Sequence, residues 1–237
     1  MVFDSRYNLE MQYEYDNSGN LLETLSSTEN PLSIIWNNNG YLPIAKTYNA
    51  RYEQTAYSDF EYGNTGRWTI DYGNTISHSS AISGDKVFQY INGDYGPYAV
   101  VETDPNCKYA LSFWAENTGS LPYQVVGNNI ILIDSYQSQP NENNWIFYEF
   151  VFQLVGGNTI GVFKNGEYML LDNLKLYPQN AFMETYYYND KNELETITDA
   201  NEQSVYFEYD KFGRLKLKRD QDKNIIEKTI YHLPDIN

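Results

Sequence analysis

The side chains that most often perform chemistry are sparse in this chain, which holds two histidines, one cysteine and 32 acidic residues among 237. His78 lies among hydroxyls in the run Ile76 to Ser80, an arrangement that suggests a base beside a nucleophile. On an extended strand adjacent side chains point to opposite faces, so the neighbouring serines do not reach its ring, and no Gly-x-Ser-x-Gly elbow occurs. His232 has no companion at metal-binding spacing. Cys107 cannot form an internal disulfide and reads as a small packing thiol. Paired carboxylates are the equipment of glycoside hydrolysis, but so many acids guarantee coincidental pairs. No Gly-rich phosphate loop, Cys-x-x-Cys pair or dinucleotide fingerprint is present. The chain therefore reads as a non-enzyme, with no catalytic residue assigned.

Composition bounds the remaining classes. The formal charge of -16 opposes the phosphate neutralisation on which nucleic-acid binding depends, and it disfavours anionic membranes. No run of 18 apolar residues occurs, so no helix is expected to cross a bilayer, and the residues from Met1 to Leu9 do not form a signal-peptide pattern. Aromatic residues make up 16% of the chain, 24 of them tyrosine, which favours pleated sheets over helices and excludes wholesale disorder. A chain of this length buries roughly 70% of its unfolded surface.

The elements that must position any site announce themselves as repeats. Tyr188-Asn189, Tyr209-Asp210 and Tyr231 recur at spacings of 21 and 22 residues, and Tyr15-Asp16 begins a similar unit near the start. Each unit reads as strand, tight turn, strand: alternating aromatics run into an Asx-x-x-Gly-type turn, and an alternating strand leaves it. In the clearest copy Leu215 and Leu217 face one way while Arg214, Lys216 and Lys218 face the other, a solvated basic strand face. Such hairpins need stacked neighbours to bury a face.

Residues 59–178 have a different texture. Short aromatic strands are expected over 86–91, 97–102, 108–115, 129–133, 145–154, 159–164 and 168–176, with Asn165-Gly166 as a hairpin turn between the last two. Seven or eight strands at this spacing indicate a β-sandwich. In the longest, Ile146, Tyr148, Phe150, Phe152 and Leu154 should face the core. Trp145, Phe147, Glu149 and Val151 form an opposite face apolar enough to be covered or to bind something. The expected organisation is a hairpin segment over 1–58, a sandwich over 59–178 and further hairpins over 179–237.

The tyrosine-marked units, with Asp199 and Asp220 following Tyr188 and Tyr209, resemble the YD repeat of bacterial Rhs-type proteins. The stretch from Ser33 to Lys46 is similar to a piece recurring in large YD-repeat proteins of the Bacteroides group. The resemblance covers roughly residues 8 to 58 and 182 to 233, and implies hairpins wound into a hollow β-shell. The motifs of a self-cleaving shell end are absent, and Asp104-Pro105 lacks their context.

Between the repeats, Phe60-Glu61 with Trp68, the run Ile82 to Tyr90, the run Tyr109 to Ala115, Asn144 to Tyr148 and Leu171 to Tyr177 together resemble jelly-roll carbohydrate-binding modules. That resemblance implies a structural calcium ion pinning the first strand to the last, held here by Glu61 and Asp172 with Asp85 or Gly84 from a loop. It also implies stacking platforms for a sugar, for which Tyr90, Tyr95, Tyr98, Trp114 and Tyr123 are the candidates. Trp36, Trp68 and Trp145 are expected in packing.

The expected protein is thus all-β, a jelly-roll β-sandwich flanked by YD-repeat β-hairpins. Its expected role is that of a non-catalytic segment of a secreted or cell-surface bacterial protein, a scaffold presenting an interaction module. Its partners would be a glycan or cell-surface ligand, other YD repeats of the parent chain, and further copies through edge strands. Two rivals remain open: a lectin-like module whose task is glycan capture, and an unrecognised glycoside hydrolase.

Overall fold

The computed structural model describes residues 10–70, 72–90, 96–102, 107–117, 124–127, 129–163 and 168–231. The described residues are strands joined by turns and three short 3-10 segments, with no α-helix among them. The chain divides into two compact units, 1–183 and 184–237.

The first unit opens with β1 (Met11–Tyr15), β2 (Leu21–Ser26), β3 (Leu32–Trp36) and β4 (Pro43–Tyr48), paired antiparallel in succession. Then come β5 (Ala56–Ser58), β6 (Trp68–Thr69), β7 (Thr75–Ser77), β8 (Lys86–Tyr90), β9 (Tyr98–Val100), β10 (Lys108–Glu116), β11 (Gln124–Gly127), β12 (Ile130–Gln137), β13 (Trp145–Leu154), β14 (Thr159–Phe163) and β15 (Met169–Pro178). These eleven form two further sheets. One runs β12-β13-β10-β15-β8-β7 with β5 also on β15, and the other runs β11-β14-β9-β6.

The two sheets pack face to face because alternation gives each an apolar side. Phe88, Tyr109, Leu111, Phe113, Phe152 and Leu154 of the larger sheet meet Trp68, Ala99, Ile160 and Val162 of the smaller in one buried cluster. This is the β-sandwich that the strand spacing predicts, and Phe150, Phe152 and Leu154 lie in its core with Tyr148 packed against them. Asn165-Gly166 lies outside the described residues.

The opposite face of the larger sheet is covered at both ends. At one end Ala110, Tyr177 and Tyr57 share a buried cluster with Ile35, Ile44, Ala45 and Ala50 from the hairpin sheet. At the other, Trp145 is fully buried with Val87 and Leu170 beneath Ile76, Ala81 and Ile82. The N-terminal hairpins are therefore mounted on the sandwich by an apolar interface.

The second unit begins within β16 (Phe182–Tyr188) and continues through β17 (Leu194–Thr198), β18 (Ser204–Tyr209), β19 (Leu215–Arg219) and β20 (Ile225–Lys228), each antiparallel to the next. One turn design recurs at Asp16, Asn189, Asp199, Asp210 and Asp220. The Asx N–H donates to the carbonyl four residues on, and the residue three on donates back to the Asx carbonyl. The Asx Oδ1 accepts the N–H groups two and four residues later. The residue three on has positive φ whether it is Gly19, Asn192, Glu202, Gly213 or Lys223. The side-chain oxygen, from a carboxylate or the Asn189 amide, replaces water for two orphan donors, which explains an Asx there even when glycine is missing.

The aromatic that precedes the turn has its own job. Tyr209 donates its hydroxyl to the Leu194 carbonyl at 2.8 Å, Tyr231 to Leu215 at 2.9 Å, and Trp36 its Nε1 to Leu21 at 2.8 Å. Each bond ties a strand to the hairpin before it. Arg214 ion-pairs with Asp210 at 2.7 Å and lies over the Tyr231 ring at 4.2 Å, so part of the expected basic face is spent holding a turn. The Arg214 guanidinium keeps the Asp210 carboxyl below its usual range.

Candidate functional site

Three acids are sealed inside the first unit. Asp59 and Glu61 follow β5, and Asp172 lies within β15; their exposures are 2%, 1% and 0%. Glu61 is flanked by Phe60 and Tyr62, both at positive φ, a conformation that costs non-glycine residues energy and persists only where surroundings enforce it. Burial of the Phe60 ring in the sandwich core and a Ser58 Oγ that receives the Phe60 N–H do the enforcing. Asn173, also at positive φ, sits where the register between β10 and β15 shifts, a bulge that re-aims the strand's side chains.

Both distant carboxylates grip the same loop. Glu61 Oε1 accepts the Asp85 and Lys86 N–H groups at 2.8 and 2.5 Å. Asp172 Oδ2 accepts the Ile82 and Ser83 N–H groups at 2.7 and 3.1 Å, and Asp172 Oδ1 accepts the N–H of Asn173. Asn173 Oδ1 accepts the hydroxyls of Ser83 and Tyr57. The segment 82–86 is thus clamped from both sides by groups more than 100 residues apart in the chain.

Desolvation raises the Asp59 carboxyl to about 6 and the Glu61 carboxyl to about 7, the latter also repelled by Asp59 and Asp85. It raises Asp172 well above its ordinary value. Among the described residues no Lys or Arg ion-pairs with any of the three. Donation by backbone N–H groups works in the other direction and is outweighed.

Carboxyls whose folded pKa is raised hold their protons more tightly folded than unfolded, so their contribution is present at low pH and lost as pH rises toward the folded value. Without added metal, stability should therefore fall between pH 5 and pH 7, on the order of 2 kcal/mol or roughly 5 °C in Tm. Thermal melts across that range check this, and Glu61→Gln should flatten the fall.

Glu61 and Asp172 converge on one loop, as the expected ligand pair would. The third member differs: Asp85 is exposed and contributes its backbone N–H rather than its carboxylate. Among the described residues no group of three His, Cys, Asp or Glu side chains is arranged to hold a metal, and the loop presents N–H donors to the carboxylates. As placed, the donor set fits a direct clamp better than a cation shell.

The aromatic candidates scatter. Tyr90 is 3% exposed within the sandwich core, so its ring is not offered to a ligand. Tyr98, 40% exposed, alternates with the core residue Ala99 and so lies on the outer side of the smaller sheet. Trp114 is half-buried on the outer side of the larger sheet, tilted against Phe147 at 5.4 Å. Tyr98 and Trp114 therefore occupy opposite faces and do not build one cleft. Tyr95 and Tyr123 lie outside the described residues. Contrary to the strand-parity expectation, Ser80 does reach the His78 ring, its Oγ lying 3.2 Å from Nδ1, because the chain turns after β7; the ring packs edge-on to Trp145, without an acid partner among the described residues.

No family model matches the chain, and no curated protein matches it. Among solved structures, it is similar to the CBM22-1 xylan-binding domain of Paenibacillus barcinonensis Xyn10C, with 16% identity and a TM-score of 0.35 over 52% of this chain and 92% of that one. It is also similar to a crystal structure of TcdB2-TccC3-TEV, with 13% identity and a TM-score of 0.18 over 90% of this chain and 9% of that one. The all-β class rests on the sheets themselves: a sandwich of two antiparallel layers, with antiparallel hairpin strands before and after it.

Proposed function

We propose that this chain is a non-catalytic, extracellular or cell-surface segment in which YD-repeat hairpins mount a β-sandwich that makes contacts with other molecules. The observation that carries this reading is the shared cluster of Ile35, Ile44 and Ala45 with Ala110 and Tyr177, which joins hairpin and sandwich as one packed body. A sandwich tethered by a loose linker would not bury those side chains.

The hairpins end in strands built to be extended. All five residues of β1 and all four of β20 are exposed, with Tyr13, Tyr15, Ile225 and Ile226 among them. Each pairs on one side only among the described residues, and edge strands of this kind template further pairing. Sedimentation velocity should show association that grows with concentration and with salt, as screening relieves the -16 charge. Tyr13→Lys with Ile226→Lys should abolish it, and a salt-independent monomer would refute edge pairing.

Glycan capture is the competing task for the sandwich. Binding on a glycan array that disappears in Trp114→Ala or Tyr98→Ala would assign it that task. A structural calcium ion is the alternative to the N–H clamp: the clamp alone predicts a Tm at pH 7.5 that added calcium leaves unchanged, whereas a rise in the parent chain that is lost in Glu61→Gln would assign the ion to this site.

A further inference from the structure

One hairpin turn breaks the repeat's design. At Asn37 the N–H donates to Leu42, five residues on rather than four, and Oδ1 accepts the N–H groups of Tyr41 and Leu42. The extra residue sits in a run of three asparagines. The N–H two residues after the Asx is capped in the other turns; here it belongs to Asn39 and carries no hydrogen bond to another described residue. Asn38 N–H is instead drawn to Asn64 Oδ1 at 3.0 Å, which pulls the turn against the 64–67 loop.

Between them lies a cleft of about 300 Å³, walled by the half-buried rings of Trp36 and Tyr52 and reached by Ser18, Asn38, Asn39 and Thr65. Those four side chains form no hydrogen bond to a described residue, so amide and hydroxyl groups face the cleft uncommitted. The charged groups around it are spent. Arg67 lies over the Tyr52 ring at 4.7 Å and ion-pairs with Glu53 at 2.7 Å, and Asp16 is capped by Ser18 and Asn20. Trp36 Nε1 is committed to Leu21, leaving its ring for contact.

We propose that this cleft binds a single neutral pyranose unit, ring C–H groups against an aromatic wall and hydroxyls on the asparagine turn. Aromatic rings plus free amides suit a polyhydroxylated ring, the volume suits one sugar, and the spent charges and acidic chain disfavour an anion. The inference is independent of the mounting role above.

The test is a titration of the isotope-labelled full chain with methyl glycosides of glucose, galactose, mannose and N-acetylglucosamine, and with inorganic phosphate. At least one glycoside should bind with millimolar Kd and shift the amides of Asn38, Asn39 and Thr65. Asn38→Ala with Asn39→Ala, exposed positions with no side-chain bonds to lose, should weaken it at least fivefold, while Trp114→Ala leaves it unchanged. Silence from all four glycosides at 50 mM, phosphate binding at the same amides, or binding lost only in Trp114→Ala would overturn the proposal.

Discussion

Asp172→Ala is expected to destabilise the protein by about 3–5 kcal/mol, measured by chemical denaturation. The carboxyl is fully buried and accepts three backbone N–H groups, two of them from the loop at 82–83. Alanine leaves those donors facing a void, and each buried orphan costs about 1–3 kcal/mol. The substitution Asp172→Asn separates charge from hydrogen bonding. Burial already pushes this carboxyl toward its neutral form, and an amide oxygen in place of Oδ2 keeps both loop N–H groups while its NH2 faces the Asn173 N–H, so the cost should be that of one lost bond, about 1–3 kcal/mol. A larger loss in Asp172→Asn than in Asp172→Ala would contradict the clamp.

A comparable loss, about 3 kcal/mol or more and roughly 10 °C in Tm, is expected from Gly66→Ala. Gly66 has φ +47°, and an added Cβ would fall 1.5 Å from the Tyr57 carbonyl oxygen, with Ile35 Cγ2 at 3.3 Å. Tyr57 also donates its N–H to the Gly66 carbonyl, so two backbones are in direct contact exactly where hairpin and sandwich share a core. Gly19 is the internal control. Its φ is +89°, yet a Cβ there meets nothing within 4 Å, so Gly19→Ala should cost only the backbone preference, about 1 kcal/mol. Equal effects at the two positions would show that close approach at Gly66 is not what constrains it.

Much of the architecture was legible from alternation alone. The strands over 145–154 and 108–116 carry two-residue alternation, and their core faces follow from it, whereas their pairing register does not. The short strands β5, β6 and β7 were not legible, because two or three residues cannot display a period; they exist through pairing with β15, β9 and β8. The Asx turns at Asp199 and Asp220 were visible as recurring acids, but their left-handed residues, Glu202 and Lys223, carry no sequence mark. The hydrogen bond of the turn selects that conformation.

The candidate site divides in the same way. Glu61 and Asp172 were singled out by the resemblance to jelly-roll carbohydrate-binding modules and not by any local signal of their own, and they do meet at one loop. Asp59 went unrecognised, since nothing in Ser58-Asp59-Phe60 announces that the acid turns inward to hold Glu61 N–H and Asn64 Nδ2. Tyr90 was misread because an aromatic beside a Gly- and Asn-rich stretch looks exposed, whereas its strand parity directs it into the core. Cys107, expected as a small packing thiol, is half-buried against the sandwich core.

Hydrogen exchange of the full chain, followed by mass spectrometry through a denaturant series, tests the mounting of hairpin on sandwich most directly. Amides of β3 and β4 should lose protection in the same cooperative step as β10 and β15, because Ile35, Ile44, Ala110 and Tyr177 share one cluster. Release of β3 and β4 at lower denaturant, with β10 and β15 still protected, would contradict the account.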